Sequence, residues 1–134
     1  MIVAGIGCRK GCGAEEISAL VREVLALAGL DLSSLGLIAS STRKRHEAGL
    51  LQAADELGVA LAFADEALLK EAAPRCLSHS ETVQAMAGVG SICEASALAL
   101  AGPDAMLLGP RRSSAHASCA LAAPALAHSL EIIS

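Results

Sequence analysis

The chain has 134 residues and a formal net charge of −4, with 54% hydrophobic and 18% charged side chains. That excludes a disordered chain, and the length fits one domain over residues 1–134, not a cofactor domain with a separate substrate domain. It contains 29 Ala and 21 Leu but only one aromatic residue, Phe63, which excludes stacking platforms for nucleic acid or glycan and interfaces built on Trp and Tyr anchors.

Residues 2–6 form a short apolar run ended by glycines, read as a buried strand. Residues 14–28 place Ile17, Leu20, Val21, Val24 and Ala28 at helical spacing. Glu15 and Glu16 sit in the first turn, and Gly29 is the stop. A second strand is expected at 36–39, a second helix at 47–57 ended by Gly58, and a third strand at 59–63. A short helix at 67–72 should stop before Pro74. Two Ser-x-x-Glu capping boxes, Ser78 to Glu81 and Ser91 to Glu94, predict helices near 80–86 and 92–101. A fourth strand is expected at 104–108 and a fifth at 117–122, where the Ala content leaves helix open; the run at 130–133 is ambiguous.

This βαβαβ opening predicts an α/β fold, a single three-layer α/β/α domain around a mixed, mainly parallel sheet of about five strands. Ligands in such sheets bind beyond the carboxyl ends of the strands. No apolar run approaches the ~18 residues of a membrane span. The first residues carry no basic stretch, so no signal peptide is expected. Five cysteines in no regular framework suit reduced thiols in a cytoplasm.

The strongest motif is Gly5-Ile6-Gly7-Cys8-Arg9-Lys10-Gly11, between the first strand and the first helix. Gly5, Gly7 and Gly11 let a ligand approach the backbone, and a helix start favours an anion. The spacing fits neither the dinucleotide fingerprint nor a Walker A loop. Seven of the ten Lys and Arg lie in three clusters: Arg9 and Lys10; Arg43, Lys44 and Arg45; Arg111 and Arg112. Each cluster follows an expected strand. Parallel strands would bring the three loops to one edge, as a positive crevice suited to several carboxylates or phosphates.

Ser41 and Thr42 precede the second cluster, Glu47 follows it, and Ser113 and Ser114 follow the third. Their oxygens are ligand candidates, although Glu47 equally fits a first-turn helix acid. Ser91 and Glu94 are caps first and ligand groups second. Cys8 lies near cations and a helix start, a setting that lowers a thiol pKa. No base is placed beside it, so no nucleophile is assigned and no catalytic residue is named. No Cys or His spacing fits a metal site.

The opening motif resembles that of the CobE proteins and of the C-terminal domain of CbiG. Glu15-Glu16-Ile17, Glu47-Ala48-Gly49-Leu50 and Gly88-Val89-Gly90-Ser91-Ile92-Cys93-Glu94-Ala95 resemble further stretches of that family, over nearly the whole chain. The resemblance implies cobalamin biosynthesis in the cytoplasm. In that family, CbiG opens the δ-lactone of cobalt-precorrin-5A and releases acetaldehyde, and CobE is a small stand-alone protein. If this chain is an enzyme, the resemblance implies a precorrin-5A lactone hydrolase-like step.

The implied ligand is a polycarboxylate corrinoid or precorrin intermediate, with no cofactor. Other cobalamin biosynthesis enzymes are the implied protein partners; neither nucleic acid nor membrane is expected. The contacts are expected from Gly5, Gly7, Cys8, Arg9, Lys10, Gly11, Ser41, Thr42, Arg43, Lys44, Glu47, Ser91, Glu94, Arg111 and Arg112. Two other readings stay open: a non-catalytic carrier or scaffold, and a small NADP-binding domain that uses Arg43, Lys44 and Arg45 for a 2′-phosphate.

Overall fold

The computed structural model describes residues 1–77 and 91–124. The chain order is β1 (Ile2–Cys8), α1 (Ala14–Leu27), β2 (Leu35–Ser41), α2 (Ala48–Leu57), β3 (Ala60–Ala64), α3 (Glu66–Ala72), α4 (Ile92–Ala101), β4 (Met106–Leu107), β5 (Arg112–Ser113) and β6 (Ala117–Ala123). The helix expected at 80–86 and the ambiguous run at 130–133 lie outside the described residues.

One mixed sheet has the order β3-β2-β1-β6-β4, and β5 also pairs with β6. The pairs β1–β2 and β2–β3 are parallel. β6 runs antiparallel to β1, β4 and β5. Among the described residues, five strands therefore point one way and only β6 runs against them. The sheet is mainly parallel, as expected, with six strands in place of about five. β4 and β5 are one edge strand broken by an irregularity. From Leu107 opposite Ala122 to Arg112 opposite Cys119, five steps along the edge match three along β6. Gly109, at φ 131°, and Pro110 occupy the break, which shortens the strand expected at 104–108 to two residues.

Strand alternation divides the core in two. On one face Ala4, Ile6, Ile38, Cys119 and Leu121 meet α1 and α2, which bury Ile17, Leu20, Val21, Leu25, Leu50 and Leu57. On the other, Val3, Ala39, Ala64 and Ala122 meet α3 and α4, which bury Leu69, Ala95, Ala97 and Leu98. This completes the three layers. α1 ends where periodicity places it, and Gly29 turns the chain at φ 74°. α3 starts at Asp65, whose carboxylate accepts the Leu68 N–H at 2.9 Å. β1 runs two residues beyond the expected strand because Gly7 and Cys8 pair with Ser118 and Ala117 of β6.

Candidate functional site

The carboxyl ends of β1, β2, β3 and the β4–β5 edge share one margin of the sheet. The clusters at 9–10 and 43–45 follow β1 and β2, whereas Arg111 and Arg112 lie within the edge strand itself, at its break and in β5. On the α4 side of this margin lies a cleft of about 320 Å³. Gly7, Cys8 and Arg9 form one wall, Ile92 and Cys93 a second, and Arg111 with the 113–118 hairpin a third.

Each wall has a local cause. β1 ends at Cys8, and the Arg9 N–H donates to the His116 carbonyl at 2.9 Å, fastening the strand end to the hairpin. α4 starts where Ser91 accepts the Glu94 N–H at 3.4 Å. The start of α4 gives this wall the positive end of the helix dipole. Ser113 and Ser118 are cross-strand partners whose hydroxyls lie 2.9 Å apart on the cleft side. Arg111 and Arg112 take opposite faces. Arg111 enters the cleft, whereas Arg112 lines a separate depression of about 290 Å³ against the end of α1.

The glycine loop has a second use. Gly11, at φ 82°, donates its N–H to Glu47 Oε2 at 2.8 Å. A Cβ on Gly49 would sit 2.1 Å from the Cys12 carbonyl oxygen, so the absence of a side chain lets α2 reach the loop. Leu50 is fully buried beneath this contact. Glu-Ala-Gly-Leu at 47–50 thus docks the second helix on the first loop, and a carboxylate of the chain itself occupies the Gly11 N–H. Glu47 also draws Lys44, with Nζ 3.9 Å from Oε1.

The remaining sequence candidates lie outside the cleft. Arg43 is exposed and 3.7 Å from Glu66, and Lys10 is exposed. The buried Ser41 hydroxyl accepts the Arg43 N–H at 3.2 Å, and Thr42 opens the same short turn. Gly5 faces α4: a Cβ there would fall 1.9 Å from the Cys93 carbonyl oxygen, so helix backbone fills its space. Ser91 and Glu94 are fully buried. Of the expected set, Gly7, Cys8, Arg9 and Arg111 line the cleft together.

Burial pushes the Cys8 thiol up to about 11, with Lys44 opposing and Cys12 and Glu47 adding to the rise. This corrects the expectation of a lowered pKa: desolvation outweighs the nearby cation. Cys93 is also raised to about 11 by burial, with its contact to Ser91 and the charge of Arg111 opposing. All five cysteines are free.

Glu16 is the residue whose placement sequence reasoning missed. Its carboxylate accepts from the Ser114 hydroxyl, from the His116 N–H at 2.7 Å and from His116 Nδ1 at 3.0 Å. These donors hold it down to about 2, with the Ser114 hydroxyl the largest cause and the His116 N–H and ring following. No local signal distinguishes this role from a first-turn acid. Ser118 was also missed, because its partner Ser113 lies on a strand that sequence did not reveal. Among the described residues no group of His, Cys, Asp and Glu could hold a metal ion, and no helix is long and apolar enough to cross a membrane.

Residues 2–122 match the family model described as cobalamin synthesis G C-terminus. Protein CobE of Sinorhizobium sp is 40% identical over 124 residues, which are 92% of this chain and 80% of that protein. The crystal structure of a CobE from the cobalamin (vitamin B12) biosynthetic pathway superposes with a TM-score of 0.85 at 44% identity, covering 91% of this chain and 89% of the other. The cobalamin biosynthesis protein chiG of Agrobacterium tumefaciens str. C58 gives 0.76 at 33% identity, covering 93% and 99%. A cobalamin biosynthesis protein G homolog from Sulfolobus solfataricus gives 0.71 at 27% identity, covering 90% of this chain but 36% of that one.

Proposed function

The chain belongs to the cobalamin synthesis G C-terminus family, and from that premise we propose that its cleft binds the carboxylate-bearing rim of a corrinoid or precorrin intermediate. The observation that carries the reading is the meeting of Arg9, Arg111 and the start of α4 around one cleft. Arginine grips carboxylate with two parallel hydrogen bonds, and a helix start adds N–H donors and a positive dipole end. Ser113 and Ser118 contribute hydroxyls at the rim. Family membership supports a cobalamin precursor as the anion; the geometry supports a polyanion.

The cleft volume, about 320 Å³, is at the small end of ligand pockets, which span roughly 300–1,000 Å³. It suits acetate and propionate groups at one edge of a macrocycle. Lys10, Arg43 and Lys44 stand on the same sheet margin and attract the anion from outside. A carrier role is favoured by Cys93, a thiol at the cleft wall that burial raises to about 11 and so keeps protonated at neutral pH. A thiol in that state is a poor nucleophile.

A visible-absorbance titration with hydrogenobyrinic acid, whose conjugated macrocycle absorbs where amino-acid side chains do not, tests the reading. Saturable binding is expected. Arg9→Glu and Arg111→Glu should each weaken it by about tenfold or more, while Lys70→Glu on α3 should leave it unchanged. No saturation, or equal losses from all three variants, would remove the corrinoid cleft. Product formation by the purified chain would replace the carrier reading with an enzyme.

A further inference from the structure

We propose that Glu16 is a positioning residue for the cleft: anchored on α1, it holds the 114–117 turn so that Arg111, Ser113 and Ser118 face the start of α4. This rests on the reading of the cleft as the ligand site. The geometry is convergent, with three donors from one turn meeting one carboxylate about a hundred positions away in sequence. The turn needs such a support. β5 is two residues long, follows the break in the edge strand and, among the described residues, pairs only with β6. A ribbon that short does not hold its own shape in water.

Two other ties are available. The Ser114 N–H donates to the Ala117 carbonyl at 2.8 Å, which closes the turn on itself. The Arg9 N–H to the His116 carbonyl ties the turn to β1. Glu16 supplies the tie to α1, so the turn is gripped from both sides.

The arrangement is electrostatically unexpected. A carboxylate bound to the turn that lines the cleft repels an anionic ligand if its charge is free. Here three donors satisfy the charge, and the Ser114 hydroxyl, the His116 N–H and the His116 ring keep it ionised down to about pH 2. The gain is a rim fixed before ligand arrives, which reduces the ordering cost of binding.

The test compares Glu16→Ala, Glu16→Gln and a control on the same helix, Ser18→Ala, which removes the 2.8 Å bond from Ser18 to Glu56. Two quantities are read: amide hydrogen exchange at 114–118 and the dissociation constant for hydrogenobyrinic acid. Glu16→Ala should speed exchange at the His116 amide and weaken binding about tenfold, the equivalent of ordering one or two side chains. Glu16→Gln keeps an accepting oxygen and should recover part of both. Ser18→Ala should change neither.

Unchanged exchange at the turn in Glu16→Ala overturns the proposal. So does faster exchange with an unchanged dissociation constant. Tighter binding by both Glu16 variants would make Glu16 a repelling charge and not a support. If Arg9→Glu and Arg111→Glu leave the titration unaltered, the ligand reading fails instead, and the exchange data still decide whether Glu16 holds the turn.

Discussion

The two faces of the sheet are packed by different means. Toward α1 and α2 the strands present Ile6, Ile38, Phe63 and Leu121, large side chains that fill the space between layers. Toward α4 they present mainly Gly5, Gly7, Ala39 and Ala122. The first face gains stability by volume, the second by proximity. α4 comes so near β1 that the Cys93 carbonyl occupies the place of a Gly5 side chain. That closeness lowers the start of α4 onto the end of β1, where the cleft opens. Small residues on the second face therefore set the geometry of the site as well as the packing.

The comparison breaks most sharply at Gly5. Gly5→Ala puts a Cβ 1.9 Å from backbone that cannot give way, and should cost about 4 kcal/mol or prevent folding, read by urea denaturation. A loss under about 1 kcal/mol would mean that α4 slides freely on the sheet. On the large-residue face, Ile17→Ala removes a fully buried side chain and should cost about 3 kcal/mol. Gly49→Ala strikes a loop carbonyl at 2.1 Å, and because loops shift, about 2 kcal/mol is expected. Gly7→Ala is the internal control, on the same strand and face as Gly5. Its nearest neighbours lie at 3.8 Å, so its denaturation midpoint should move by no more than about 0.5 kcal/mol.

The smallest effect at neutral pH comes from the thiols. Burial raises Cys8, Cys76 and Cys93 from 9.0 to about 11. Folded and unfolded chains are equally protonated below about 9. Between 9 and 11 the unfolded chain loses protons that the folded chain keeps, so stability falls as pH rises through that window. Denaturation at pH 7 and pH 10 should show the decline, and a Cys93→Ser variant should reduce it. An unchanged slope would show that Cys93 is more hydrated than its position implies.

The first half of the fold was legible because its signals are local. The stripe of Ile17, Leu20, Val21 and Val24, the stops at Gly29 and Gly58, and the apolar run at the start of β1 each report one element. The last third was less legible. β6 reads Ala-Ser-Cys-Ala-Leu-Ala-Ala, a weak strand former that is a strand because β1 and β4 flank it. β5 has two residues, too few for any period. At the candidate site, the basic clusters pointed to the sheet margin where the cleft lies. They did not separate Arg111 from Arg112, because register and a broken edge decide which faces the cleft. Glu16 and Glu47 both look like first-turn acids in sequence, and each instead receives backbone N–H groups from a distant loop.

The placement of β6 also bears on how the chain reaches this state. β1 lies between β2, its near neighbour in sequence, and β6, so Val3 waits for Ala122 as its partner on one side. The helix that lies against Gly5 is likewise formed by residues 92–101. A chain emerging from the ribosome can build β1, α1, β2, α2 and β3 early, yet one edge of β1 stays open until residues 117–123 have been made. Pairing over that separation is slow to close, and in the interval the apolar edge of β1 is exposed to other chains. Vectorial synthesis therefore seals this protein's central seam only after β1–β5 and α1–α4 have been made.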